Sequence, residues 1–326
     1  MTARIHKGTP RNLAFLAGRL RKGGLVAVPT ETVYGLAADG TSREACLKIF
    51  RAKRRPSEDP LILHIASIGD LDRIAVSNPA ARKLARAFWP GPLTIVLPKR
   101  AVVPDEATAG LPSVAVRMPS HPLFRRLIRL AGIPLAAPSA NPFGYVSPTT
   151  AEHVRKSLGR RIRHILDGGP SSIGLESTIV DLRHPLRPAL LRPGAITKAQ
   201  LARVLGRPVA TSRNSRVGGR LAPGQMKRHY SPGTPVTLQA ALTRARAARG
   251  PADEAWLFVA RPRGKTLPPN FFWLDHQGDL RRAARRLFSV LRDLDDRGFR
   301  RIHAERPKGG GIAEALLDRL VRASSR

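Results

Sequence analysis

Between Gly24 and Ile65 the chain reads GLVAVPTETVYGLAADGTSREACLKIFRAKRRPSEDPLILHI, and this stretch constrains the fold more than any other. Leu25 to Val28 is an apolar run too short for a helix, so it reads as a buried strand. Pro29 stops it, and Thr30, Glu31 and Thr32 set hydroxyls and a carboxylate just past its end. Open α/β sheets hold their ligands at that position. A helix is expected from about Arg43 to Ala52, with Ala45, Ile49 and Phe50 inward and Thr41 or Ser42 as its N-cap. Lys53, Arg54 and Arg55 crowd its end, and Pro56 terminates it. A second apolar run, Leu61 to Ile65, carries His64. One strand–helix–strand unit thus offers hydroxyls, cations and an imidazole, a set that suits a small polar ligand bearing a phosphate.

The same alternation continues downstream. Amphipathic spacing predicts a helix over 11–22, and helical pattern returns over Asp70–Phe88, broken near Pro79. WPGPLTIVLP reads as a rigid turn entering a strand at Leu93–Leu97. Val114–Val116 is a buried strand that delivers Arg117 at its end, either as a surface arginine or as a carboxylate clamp with two parallel hydrogen bonds. After a helix over His121–Ala131, the strand Pro134–Ala137 runs into PSANPFGYVSPTT. That proline-stiffened loop of small polar residues is either a connector or a preorganised ligand cradle. A short helix (Ala151–Leu158), a strand (Ile162–Asp167), the segment Glu176-Ser177-Thr178, a strand (Ile179–Leu182), LLRPG and a helix (Ile196–Leu205) close the first domain.

Length and charge complete the outline. A chain of 326 residues is long for one core, so two domains are expected. The boundaries are 1–206 for the first, 207–235 for a Gly/Pro-rich linker, and 236–326 for a smaller α/β unit. That unit is expected to hold a helix over Leu238–Ala248, a strand (Ala255–Ala260), a helix (Gly278–Arg297), a strand (Arg301–Glu305) and a helix (Ile312–Ala323). The linker ends in Lys227-Arg228-His229-Tyr230, a dense functional cluster, as if it returned to cover the first domain's site. A net charge of +34 attracts polyanions, although arginines are spread along the whole chain. Aromatic content of 5% argues against a protein that reads bases by stacking. Cys46 stands alone, which excludes an internal disulfide and a paired CxxC zinc site. No apolar stretch reaches the ~20 residues of a membrane span, and the N-terminus lacks a signal-peptide core; a soluble, cytoplasmic protein is expected.

PTETVYGL, KIFRAKRRP followed by PLILHI, WPGPLTIVLP, VAVRMP, APSAN, ESTIVD and LLRPG occur in that order, and together they resemble the YrdC-like family. The linker with PGQMKRHYSP and the C-terminal unit resemble its long two-domain form, the L-threonylcarbamoyladenylate synthases. The resemblance implies a twisted open α/β sheet with a concave basic face, plus a smaller Rossmann-like α/β domain. It implies an enzyme, a nucleotidyltransferase that joins L-threonine, bicarbonate and ATP into threonylcarbamoyl-AMP and pyrophosphate. A partner transferase then passes the threonylcarbamoyl group to adenosine beside the anticodon of tRNAs reading ANN codons. Carried onto this sequence, L-threonine falls to Thr32, His64, Arg117, Ala137 (through its backbone) and Ser177. ATP falls to Arg55, Asp59, Ser113, Ser139, Ser147, Arg192 and Tyr230, and the catalytic set to Lys53, Arg55, Ser139 and Asn141. Mg²⁺ is implied as the companion of ATP, with no direct protein ligands expected. Two other readings remain at this stage: an RNA-binding module without catalysis, which the charge favours, and a carbamoyltransferase acting on another acceptor.

Overall fold

The computed structural model describes residues 2–212 and 229–325. The first domain runs β1 (Arg4–Lys7), α1 (Pro10–Arg21), β2 (Val26–Val28), β3 (Gly35–Asp39), α2 (Arg43–Lys53) and β4 (Ile62–His64). It continues through α3 (Leu71–Ile74), α4 (Pro79–Phe88), β5 (Leu93–Pro98), α5 (Asp105–Thr108), β6 (Ser113–Arg117), α6 (Pro122–Ala131) and β7 (Leu135–Ala136). It ends with α7 (Ala151–Leu158), β8 (His164–Asp167), β9 (Thr178–Asp181), β10 (Ala189–Arg192), α8 (Lys198–Leu205) and β11 (Ala210–Thr211). Among the described residues these strands form one mixed sheet in the order β1-β8-β2-β3-β7-β4-β6-β5-β9-β10-β11.

Capping explains why α2 sits where the spacing puts it. The Ser42 side chain accepts from the Ala45 amide, and Arg54 leaves the helix in the left-handed region at φ 53. Ala45, Ile49 and Phe50 are buried as expected. The strand–helix–strand unit is nonetheless not a simple crossover. β2 pairs antiparallel with β3, and β3 reaches β4 only through β7. GLAAD makes a strand because its small side chains lie beneath close neighbours. A Cβ on Gly35 would sit 3.2 Å from the Ala137 Cβ, and Gly35 bridges Ser139.

The second domain comprises β12 (Val236–Gln239), α9 (Arg244–Ala248), β13 (Glu254–Ala260), β14 (Phe271–Asp275), α10 (Leu280–Asp296), β15 (Arg301–Glu305) and α11 (Ile312–Ser324). Its strands form a parallel sheet ordered β12-β15-β13-β14. The helix expected over 238–248 is replaced by strand β12 and a short helix capped by Thr243, because VTLQ completes a sheet edge beside β15. The aromatic run of β14 was not anticipated as a strand. Nor does the first sheet stop at residue 206, since β11 adds a parallel edge to β10.

The two domains share apolar packing. Val33, Val146 and Leu175 of the first join Leu287, Phe288 and Leu291 of α10 and Leu316 of α11 in one buried cluster. Arg292, on the same face of α10, donates to the Val146 carbonyl and, at 2.9 Å, to Ser157 Oγ. The C-terminal domain therefore packs against the loops that follow β2 and β7. No helix among the described residues is long and apolar enough to cross a membrane.

Candidate active site

The loop after β2 is shaped by its own hydroxyls. Thr30 Oγ1 donates to the Val33 carbonyl at 2.6 Å and accepts from the amides of Thr32 and Val33, both at 3.1 Å. This turn holds Thr32 and Glu31 over the carboxyl ends of β4 and β6, where His64 and Arg117 stand in register. Arg117 donates through Nη1 to Thr32 Oγ1 at 2.9 Å and forms an ion pair with Glu31 at 2.6 Å. Arg117 is thus an interior strand-end arginine, 4% exposed, and not a surface one. Burial would raise the Glu31 carboxyl, but the charge and hydrogen bond of Arg117 prevail and hold it below its ordinary range. His64 lies within the sheet against the Phe124 ring. Desolvation, with the Arg117 charge second, lowers its pKa to about 3, so the ring is neutral at physiological pH.

The segment after β7 is held in place by Lys53. Its ammonium donates to the carbonyls of Ser139 at 2.5 Å and Asn141 at 2.6 Å, while Asn141 Nδ2 closes onto the carbonyls of Pro142 and Tyr145. Burial first, and the Arg55 charge second, push the Lys53 pKa well below its usual value. Further along, Ser147 Oγ donates to Glu176 at 2.5 Å. Next to Glu176, Ser177 shares a hydrogen bond with Thr94 and accepts from Arg192 through both its carbonyl and its hydroxyl, at 3.0 and 3.1 Å. Arg55 pairs with Asp59 at 2.9 Å and donates to the Asp59 and Pro60 carbonyls.

These groups converge on one cavity enclosing about 40 Å³. Thr32, His64, Arg117, Ala137 and Ser177 line it together with Arg55, Ser139, Arg192 and Tyr230. Lys53, Asp59, Ser113, Asn141 and Ser147 do not line it. Lys53 and Asn141 shape the loop behind Ser139, Asp59 stands behind Arg55, Ser147 stands behind Glu176, and Ser113 is buried at the start of β6. Sequence reasoning missed Glu176 as a wall residue and Glu31 as the partner of Arg117, whereas His229 lies at the wall as part of the cluster expected to return to the site. The ESTIVD motif contains Glu176, and a carboxylate directly before Ser177 and Thr178 was the available signal.

Tyr230 closes the cavity. Ser231 anchors the returning chain by donating its amide to the Gly144 carbonyl at 2.9 Å. Tyr230 holds φ 62, is fully buried, and lies against the rings of His229 and Phe288. Burial, with the Glu176 charge second, pushes its hydroxyl up to about 12. His229 is likewise held neutral, chiefly by burial. Lys227, Arg228 and Gln225 lie outside the described residues. The resulting chamber has three guanidinium groups on its walls, one carboxylate and two neutral imidazoles. It can hold a carboxylate at Arg117 and phosphate oxygens at Arg55 and Arg192, with Ser139 and Ser177 between them.

Comparison with known proteins places this geometry in context. The Sua5/YciO/YrdC family, described as telomere recombination, matches residues 19–194, and the family described as threonylcarbamoyl-AMP synthase, C-terminal domain, matches residues 196–325. A threonylcarbamoyl-AMP synthase of Pyrococcus abyssi is 41% identical, covering 94% of this chain and 92% of its own. One of Bacillus subtilis is 39% identical, covering 96% and 92%. The crystal structure of P. abyssi Sua5 complexed with L-threonine superposes with a TM-score of 0.90 at 38% identity, over 99% of this chain and 98% of that one.

Proposed function

The chain belongs to the threonylcarbamoyl-AMP synthase family, and from that membership we propose that it joins L-threonine, bicarbonate and ATP into threonylcarbamoyl-AMP and pyrophosphate. The observation that carries the reading is the single cavity on which an amino-acid half (Thr32, His64, Arg117, Ala137, Ser177) and a phosphate half (Arg55, Ser139, Arg192, Tyr230) converge.

In this reading Arg117 takes the threonine carboxylate in a two-point hydrogen bond, and Thr32 and Ser177 receive its polar groups. Threonine nitrogen adds to the carbon of bicarbonate with loss of water, giving N-carboxythreonine. Its carboxylate oxygen attacks the α-phosphorus of ATP, the new O–P bond forms, and pyrophosphate leaves with the electrons of the bond that breaks. No enzyme nucleophile is needed, so the protein's contribution is positioning and charge. Arg55 and Arg192 supply the positive field for the phosphates, and Lys53 and Asn141 fix the Ser139 loop. His64, neutral in its buried position, serves as a polar wall for the amino acid rather than as a cation. Among the described residues no group of three or more His, Cys, Asp or Glu side chains could hold a metal, and Asp59 is engaged by Arg55. We place the Mg²⁺ ion on the ATP phosphates, where it would neutralise charge.

Threonylcarbamoyl-AMP is a mixed anhydride, which calls for a partner transferase that consumes it. We assign that acceptor step to adenosine next to the anticodon of tRNAs reading ANN codons, and the work to the cytoplasm. The net charge of +34 supports an additional contact with RNA. The test is release of pyrophosphate from ATP, expected only with threonine and bicarbonate both present. A chain that binds RNA and releases none is an RNA-binding module, and the synthase reading fails.

A further inference from the structure

Arg319 is the largest fully buried side chain described in the structure, and it belongs to α11 of the C-terminal domain. It lines no part of the cavity itself. Its Nε donates to Glu176 Oε2 at 2.9 Å, its Nη2 donates to the Pro193 carbonyl at 3.0 Å, and its guanidinium lies 5.4 Å from the Tyr230 ring centre. Glu176 does line the cavity, and its other oxygen accepts from Ser147. Arg319 also meets Asp318 at 2.6 Å, but Asp318 has a second cation in Arg322 at 3.0 Å. With Asp318 held by Arg322 as well, the direct hydrogen bond from Arg319 to Glu176 makes Arg319 the side-chain cation that meets this carboxylate.

We propose that Arg319 is a positioning residue for the nucleotide half of the site, cancelling the charge of Glu176 so that this wall can face a triphosphate. The proposal rests on the synthase reading and assigns the C-terminal domain a part in it. Without Arg319, Glu176 would be left with only the nearby Arg192 charge, and would take part of that guanidinium's field away from a ligand carrying several negative charges. It would act far less on threonine, which enters as a zwitterion with no net charge. Like charges a few ångströms apart at an effective dielectric of about 20 make a ~10-fold or larger loss of ATP affinity the expected size.

The test uses the full-length chain and Mg-ATP. ATP affinity is measured by calorimetry, and KM for ATP and threonine by pyrophosphate release, in wild type, Arg319→Gln, Glu176→Gln and the double variant. Arg319→Gln should bind ATP ~10-fold more weakly with threonine KM within about threefold of wild type. The double variant should return ATP affinity to near wild type, because the charge being cancelled is gone. ATP affinity unchanged in Arg319→Gln, or equally poor in the double variant, overturns the proposal and leaves Arg319 a packing residue. Should Arg319→Gln fail to fold, Glu176→Gln still decides: unchanged or tighter ATP binding supports the proposal, and weaker binding overturns it. A wild type that binds ATP without releasing pyrophosphate sinks the synthase reading alone, whereas one that binds no ATP sinks both.

Discussion

Lys53 offers the sharpest contrast between a residue that touches substrate and one that holds the site together. Its ammonium donates to the carbonyls of Ser139 and Asn141, which are the hydrogen bonds that set the loop after β7. Lys53→Met keeps the length and the apolar stem while removing the donor. The two buried carbonyls then lose that donor at about 1–3 kcal/mol each. Relief from burying a charge returns part of this, for a net loss of about 2–4 kcal/mol. At about 2–4 °C per kcal/mol the melting temperature falls by about 5–15 °C. Because the loop carries both Ala137 and Ser139, KM should rise for threonine and ATP together. The assay is a thermal melt beside pyrophosphate-release kinetics. An unaltered melting temperature with a defect confined to ATP would refute the bracing argument and make Lys53 a direct phosphate ligand.

Other substitutions read other parts of the site. Arg117→Ala removes a charged hydrogen bond worth about 1.5–3 kcal/mol, so threonine KM should rise ~10- to 100-fold with ATP KM nearly constant; equal changes in both would end the carboxylate assignment. His64 has a folded pKa of about 3 against ~6.5 when unfolded, so only the unfolded chain takes up its proton as pH falls from about 6.5 to about 3, and stability drops across that window. Between pH 7 and pH 4 wild type should lose ~3 kcal/mol more than His64→Gln in denaturant titrations, and parallel pH profiles would contradict the burial argument. A chain ended after Ser212 keeps the first sheet but uncovers Val33, Val146 and Leu175 and loses the Arg292 contacts. It should remain folded with impaired turnover, and full activity in that fragment would exclude the C-terminal domain from the site.

Much of the fold was legible because short apolar runs end on proline or glycine. β5, β6 and the helices α2, α4, α6 and α7 lie where spacing and caps put them. The strands that escaped were those whose identity depends on a distant neighbour. β3 is a leucine and two alanines between Gly35 and Asp39, and β12 and β14 become strands because a parallel sheet has places for them beside β15 and β13. Local propensity is weak against such pairing.

Within the site, the sequence located the residues that strands deliver and could not name their partners. Arg117 and Ser177 sit at strand ends, so the chain's own punctuation pointed to them. Glu31 sits next to Thr32 in the same motif, yet nothing in PTETVYGL says that it folds back onto Arg117. Lys53, Arg55 and Arg192 illustrate the same limit. Each was read as a cation for phosphates, and each is nearly fully buried. A buried cation needs compensation, which here comes from carbonyls for Lys53, from Asp59 for Arg55 and from Ser177 for Arg192. A ligand entering this chamber must therefore share guanidinium groups that already have partners. The affinity of the site is accordingly set as much by Glu31, Asp59 and Glu176 as by the arginines, and these acids are the residues whose neutral amide variants should alter substrate preference most.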